Sequence, residues 1–180
     1  EFRRVLFRSG GAGFAAYGDR LVVAFQQSGT LQPLTWASGG FLGTSGTLQL
    51  GGTTALAEVD FQNPINLNAG LRTINVLDNT NTGADFATIS GVISGSGGTT
   101  GLIKQGSGIL VLAGNNTYSG STSIPVSGGV LVVRSLGSST APASSSVGAF
   151  VSGSAGGVSI GQNAILDRKS TRLNSSHEWI

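Results

Sequence analysis

Gly101–Gly137 reads GLIKQGSGILVLAGNNTYSGSTSIPVSGGVLVVRSLG, two short apolar runs set in dense Gly, Asn, Ser and Thr. Ile109–Ala113 and Val130–Val133 are too short for helices and rich in β-branched residues and Leu, so they read as strands buried in a sheet core. The surrounding Gly and Asn suit corners, where tight or left-handed backbone has the lowest steric cost. The signature Gly-x-Leu-x-Leu/Val occurs at Gly46–Leu50, Gly108–Leu112 and Gly129–Val133, with gaps of 62 and 21 residues, and a related GTLQ stands at Gly29–Gln32. Because 62 is close to three times 21, the spacing predicts a coil of about 20 residues per turn.

Working outward, Arg20–Phe25, Ala55–Phe61, Leu71–Leu77, Phe86–Ile93 and Val158–Ile160 are further strand candidates, bounded by Gly, Asn, Pro or polar residues. In Thr54–Phe61 the set Ala55, Ala57, Val59 and Phe61 alternates with Thr54, Glu58 and Asp60. That alternation predicts a core face and a solvated face carrying both carboxylates. The Ser/Ala-rich tract Ser138–Gly157 reads as a looser loop. Successive turns stacked about 4.8 Å apart would satisfy one another's backbone groups. Strict Gly at every third position, which collagen needs, is absent. Disorder is disfavoured by 39% hydrophobic residues. The expectation is an all-β chain wound as a parallel β-helix (β-solenoid) of about seven turns, with Leu110 and Leu131 in the core.

The two ends read differently. EFRRVLFRS can be encoded as GAG TTC AGA CGT GTG CTC TTC CGA TCT, whose reverse complement, read one base later, gives DRKSTRLN and the start of a Ser codon, matching Asp167–Ser175. Residues 1–9 and 167–180 are therefore expected to be scars of translated sequencing-adapter DNA, not native sequence and with few specific contacts to the body, residues 10–166. The basic balance belongs mainly to these tails. Between Gly10 and Leu166 the four bases Arg20, Arg72, Lys104 and Arg134 face the five acids Asp19, Glu58, Asp60, Asp78 and Asp85, a net charge of −1. That leaves no basic footprint for nucleic acid. No run of eighteen apolar residues exists, so no membrane insertion by a helix of this segment is expected.

Chemistry is sparse. Cys is absent and the one His, His177, lies in the C-terminal tail, so the body holds neither a Ser-His-Asp nor a Cys-His arrangement, and zinc would find only carboxylates. Glu58 and Asp60 are spaced as i, i+2, which on one strand face puts them near the separation of glycosidase carboxylates. The solvated strand face remains the preferred reading. Asp78–Gly83 departs from a calcium loop, since Thr80 and Thr82 stand at its third and fifth ligand positions and Ile89 at the twelfth; it reads as a surface turn. Gly95–Gly98 and Gly106–Gly108 precede no helix that could bind phosphate. Asn115-Asn116-Thr117 fits a glycosylation sequon but reads better as a corner whose Asn side chains bond backbone or one another. No catalytic, cofactor-binding or metal-binding residue is assigned, and no cofactor is expected.

Gly101, Leu102, Lys104, Gly106, Gly108, Leu110, Leu112, Gly114, Asn115, Asn116, Thr117, Tyr118, Gly120, Thr122, Val126, Gly128, Leu131 and Val132 stand in the order of a known unit. On these residues, 101–137 resembles the autotransporter-associated β-strand repeat, which tiles the passenger domains of bacterial type V secretion proteins. Gly10–Arg20, Leu34–Trp36, Val59–Ile65 and Ile89–Gly98 look like elements that precede it in such passengers. The resemblance implies a right-handed parallel β-helix, an internal fragment of a larger parent with a signal peptide and a β-barrel translocator, exported across the outer membrane to the cell surface or beyond. It implies a non-enzymatic stalk or adhesin scaffold. Its partners would be neighbouring turns of the parent and host or neighbour-cell surface glycans or proteins. The alternative is a polysaccharide-acting β-helix lyase or hydrolase with its active site elsewhere in the parent.

Overall fold

In the computed structural model, which describes residues 4–8, 11–95, 100–136, 144–149 and 157–169, each of the apolar runs contains a strand, and the described residues include no helix. The chain opens with β1 (Arg4–Arg8), β2 (Gly11–Ala15), β3 (Leu21–Val23), the pair β4 (Gln26–Gln27) and β5 (Thr30–Leu31), and β6 (Leu34–Thr35). Next come β7 (Thr47–Leu50), β8 (Val59–Phe61), β9 (Ile65–Asn66), β10 (Leu71–Val76), β11 (Ala87–Ile89) and β12 (Ile93–Ser94). The last are β13 (Gly101–Gln105), β14 (Ile109–Leu112), β15 (Thr122–Ile124), β16 (Val130–Val133), β17 (Val158–Ile160) and β18 (Ile165–Arg168).

These strands stack into three sheets visited in rotation. One sheet has the order β1-β2-β7-β10-β13-β15-β17, a second β18-β16-β14-β11-β8-β3, and a short third β12-β9-β6. Apart from β1, all their pairings are parallel. The architecture is thus all-β, with parallel strands in stacked sheets, as in a β-helix. Each of the two larger sheets has six parallel rungs among the described residues, where about seven turns were expected.

The anticipated 20-residue period holds only locally. Leu102 faces Thr122 and Ile109 faces Val130, offsets of 20 and 21 residues. Thr47 faces Thr73, Leu71 faces Gly101 and Leu21 faces Val59, offsets of 26, 30 and 38. The excess is held in corners. In the first coil it includes a hairpin, β4 against β5, turning on Ser28 and Gly29 at positive φ; GTLQ therefore lies in that hairpin and supplies no rung. The Gly46 signature does not stack on the Gly108 signature either: Leu48 lies between Ala12 and Ile74 in one sheet, Leu110 between Ala87 and Leu131 in the other. The match of 62 to three times 21 was coincidental.

The core is what alternation demands. Val59, Ala87, Leu110 and Leu131 form one fully buried inward ladder, and Ala12, Leu48 and Ile74 begin another. The first coils are filled by rings: Phe14 packs edge-on to Phe61 at 5.9 Å and Phe41 lies 6.1 Å from Phe61 and 5.8 Å from Trp36. The narrow coils close at glycine. A Cβ on Gly120 would overlap the Thr100 carbonyl oxygen, so only a bare backbone lets these turns nest.

Two expectations about the tails and one about the loop change here. Arg4–Arg8 pairs antiparallel with β2 along its whole length, and Asp167 and Arg168 continue β18 opposite Val132 and Val133. Few contacts was therefore wrong for the backbone of these segments. Sheet edges offer free donors and acceptors to any chain, whatever its side chains. Residues 170–180 lie outside the described ones. Within Ser138–Gly157, Ser145, Ser146 and Val147 are buried, and Ser145 exchanges backbone bonds with Asn116; much of the remaining tract lies outside the described residues.

Candidate functional site

Glu58 and Asp60 project from the outward face beside β8, yet the environment differs from the solvated one expected. Asp60 is 2% exposed. One of its oxygens accepts from Arg20 Nη2 at 2.7 Å and Gln62 Nε2 at 2.9 Å, the other from the Ser90 hydroxyl at 2.7 Å. Glu58 accepts from Arg20 Nε at 2.9 Å and from the Thr88 hydroxyl at 2.6 Å. Arg20 stands in the first coil, the acids in the second and Thr88 and Ser90 in the third, so the group ties three successive rungs together. Alternation correctly put the acids on the outer face. It could not show that Arg20, 38 residues away, would stack beside them and cover Asp60. The two carboxylates, shared among Arg20, Thr88 and Ser90, form a cross-rung staple.

The two buried cations, missed at the sequence level, follow the same logic. Lys104 occupies an inward position on β13, one rung along from Ile74. Its Nζ donates to the carbonyls of Gln105 at 3.2 Å, Gly106 at 2.7 Å and Gly128 at 2.6 Å, using all three of its donors. Burial pulls the ammonium pKa from 10.5 to about 8, against a smaller upward pull from Asp78. Arg72, inward on β10, donates from Nε to Leu67 at 2.8 Å, from Nη1 to Thr44 at 2.6 Å and from Nη2 to Asn68 at 3.0 Å, all backbone carbonyls. The parity was legible: each shares the inward face with Leu102 or Ile74. The capping partners were not, because they come from corners up to 28 residues away.

The corner Asn reading is realised. Asn116 is 1% exposed; its Oδ1 accepts from the Ile93 amide at 2.7 Å and its Nδ2 donates to the Ser146 carbonyl at 2.7 Å, joining the coils on either side. Asn63 does the same for the hairpin base, accepting from Phe25 N–H and donating to the Phe25 and Gln32 carbonyls. Asp78–Gly83 is a turn whose Asn79 is buried, with its amide held by the Asp85 carboxylate at 2.6 Å and its Nδ2 by the Ala55 carbonyl at 2.8 Å. Tyr118, fully buried, shares a 2.5 Å hydrogen bond with the Thr122 hydroxyl, and burial raises its pKa well above the usual phenol range. Among the described residues, no three acids or His gather to hold a metal.

Comparison with known proteins places this geometry. Residues 102–133, running from β13 through β16, match the family model of the passenger-associated-transport-repeat. Over 105 residues, 57% of its length, the chain is 35% identical to an adhesin, the BmaC autotransporter of Brucella suis biovar 1 (strain 1330), and spans 3% of that protein. No solved structure matches. The segment from β13 to β16 is an autotransporter passenger repeat.

Proposed function

We propose that residues 10–166 form part of a right-handed parallel β-helix in an exported autotransporter passenger, displayed at or released from the cell surface, where they act as a non-enzymatic stalk or adhesin scaffold. The single observation that carries this is how the polar side chains inside the coil are used. Lys104, Arg72, Asn63 and Asn116 each cap backbone of neighbouring turns, which stiffens a coil and commits these polar groups to structure. The repeat match and the likeness to an adhesin support the same reading. Export would proceed through a β-barrel translocator of the parent, with the segment's sheets continuing into neighbouring turns.

Two measurements test it. Intact cells making the parent should lose an epitope placed in the Ser28-Gly29 hairpin on protease treatment; an epitope protected until lysis refutes surface display. Purified chain should turn over no polysaccharide, and Asp60→Asn should lower stability without altering any turnover. Cleavage abolished by Glu58→Gln or Asp60→Asn would instead overturn the scaffold-only reading.

A further inference from the structure

The corner between β14 and β15 divides its residues by direction. From Gly114 to Tyr118 burial alternates: Gly114, Asn116 and Tyr118 are buried, Asn115 and Thr117 exposed. Such alternation marks extended chain, in which residues two apart share a face at a separation of about 6.6 Å. The inward set is committed to packing. A Cβ on Gly114 would come 2.6 Å from the Gly91 carbonyl oxygen, Asn116 bonds the Ile93 amide and the Ser146 carbonyl, and Tyr118 shares a hydrogen bond with Thr122. The backbone is pinned as well. Asn116 and Ser145 exchange amide bonds of 2.8 and 3.1 Å, and Thr117 N–H donates to the Ile93 carbonyl at 2.8 Å. Asn116 therefore holds the corner, while Asn115 and Thr117 stand outward together on a fixed backbone. These two are the carboxamide and the hydroxyl of an Asn-x-Thr sequon.

We propose that Asn115 is a modification site that accepts an N-linked sugar while the coil is folded. Its Nδ2 bonds to the anomeric carbon of a sugar activated as a nucleoside diphosphate or a lipid diphosphate. The bond from that carbon to the phosphate oxygen breaks, the diphosphate leaves with the electron pair, and an amide proton passes to a base of the transferring enzyme. The spacing alone is a weak signal: Asn174-Ser175-Ser176 in the C-terminal tail fits it too. Between Gly10 and Leu166, however, no other Asn has Ser or Thr two residues on. The fold then supplies what the spacing lacks. A sugar is bulky and needs a surface position, which Asn115 has, and the buried middle residue keeps acceptor and hydroxyl on the same side. The corner also lies within the stack, with the Ile93 turn on one side and Ser145–Ser146 on the other, so a further turn added at either end of the coil leaves it open. Acceptor function at Asn115 does not depend on the scaffold reading and adds to it a place where the coil carries sugar.

The test uses the folded full chain carrying Asn174→Gln, which removes the tail sequon. One arm supplies a soluble Asn-x-Ser/Thr glycosyltransferase with UDP-glucose, the other an oligosaccharyltransferase with a lipid-diphosphate oligosaccharide, and a synthetic peptide of residues 109–121 serves as the unfolded reference in both. Peptide mapping by mass spectrometry reads the site. At least one arm should add sugar to Asn115 of the folded chain as readily as to the peptide, and which arm does so identifies the donor. Asn115→Gln and Thr117→Val should abolish the addition, and Thr117→Ser should keep it. Both positions are exposed, so the variants should fold, which an unchanged unfolding midpoint verifies. Sugar on the peptide but not on the folded chain, on neither, or at a residue other than Asn115 overturns the assignment. A fall in the unfolding midpoint of the sugar-bearing chain overturns it too, because the Asn115 side chain would then belong to the packing.

Discussion

At the scale of the residue, two buried titratable groups give the coil a signed pH dependence. Lys104 titrates at about 8 when folded and 10.5 when unfolded. Between those values the unfolded chain binds the extra proton, so stability rises as pH climbs through this window. Tyr118 acts oppositely. Its folded pKa lies above its ordinary 10.0, so above about pH 10 the unfolded chain sheds a proton that the folded one keeps, and stability falls. Urea unfolding from pH 7 to 11 should therefore show a maximum near pH 10, with a rise of about 1–3 kcal/mol before it. Lys104→Met should abolish the rise, and Tyr118→Phe should soften the fall. Asn116 makes a separate prediction. Replacement by Ala leaves the Ile93 amide and the Ser146 carbonyl without their partner, and chemical denaturation should report a loss of about 2–4 kcal/mol.

At the scale of the element, β14 and β16 were fully readable, because both are apolar runs whose inward residues, Leu110 and Leu131, stack directly and are at most 1% exposed. Leu110→Asp or Leu131→Asp puts a carboxylate into that ladder and should cost several kcal/mol in an equilibrium unfolding experiment. Phe86–Ile93 was only half readable: one apolar run became β11 and β12 on different sheets, since the bend between them depends on Gly91 nesting against the Asn63 backbone of the turn beneath. Strand identity is written locally in alternation, whereas coil length is set by which corners nest, and those contacts join residues about 30 apart. The same division governs the polar groups. The outward parity of Glu58 and Asp60 could be read from the strand, but Arg20 and Ser90 become their partners only when the turns stack.

At the scale of the molecule, a stack of parallel turns has two open ends, and segments whose sequence reads as adapter-derived reach both: β1 lies antiparallel on the edge of β2, and Asp167–Arg168 lengthens the last rung, β18. Removing residues 1–9 should shift thermal unfolding by only a few degrees, because the contacts seen are backbone pairing at an edge. It should increase self-association in sedimentation velocity, since β2 would then expose its donors and acceptors; a strictly monomeric truncated chain would contradict this. The same edges are where neighbouring turns of a parent passenger would join.

The central claim is parallel stacking of successive turns, and cysteine pairing tests it on a chain that has no cysteine of its own. Val111 and Val132 face each other outward on β14 and β16, at a rung spacing compatible with a disulfide. The double variant Val111→Cys, Val132→Cys should form an intramolecular disulfide under mild oxidation with little change in the fold. Ile109→Cys with Val132→Cys, offset by two residues in the parallel register, should not. Ready crosslinking of the second pair and failure of the first would mean that the two strands form an antiparallel hairpin, and the coil would have to be abandoned.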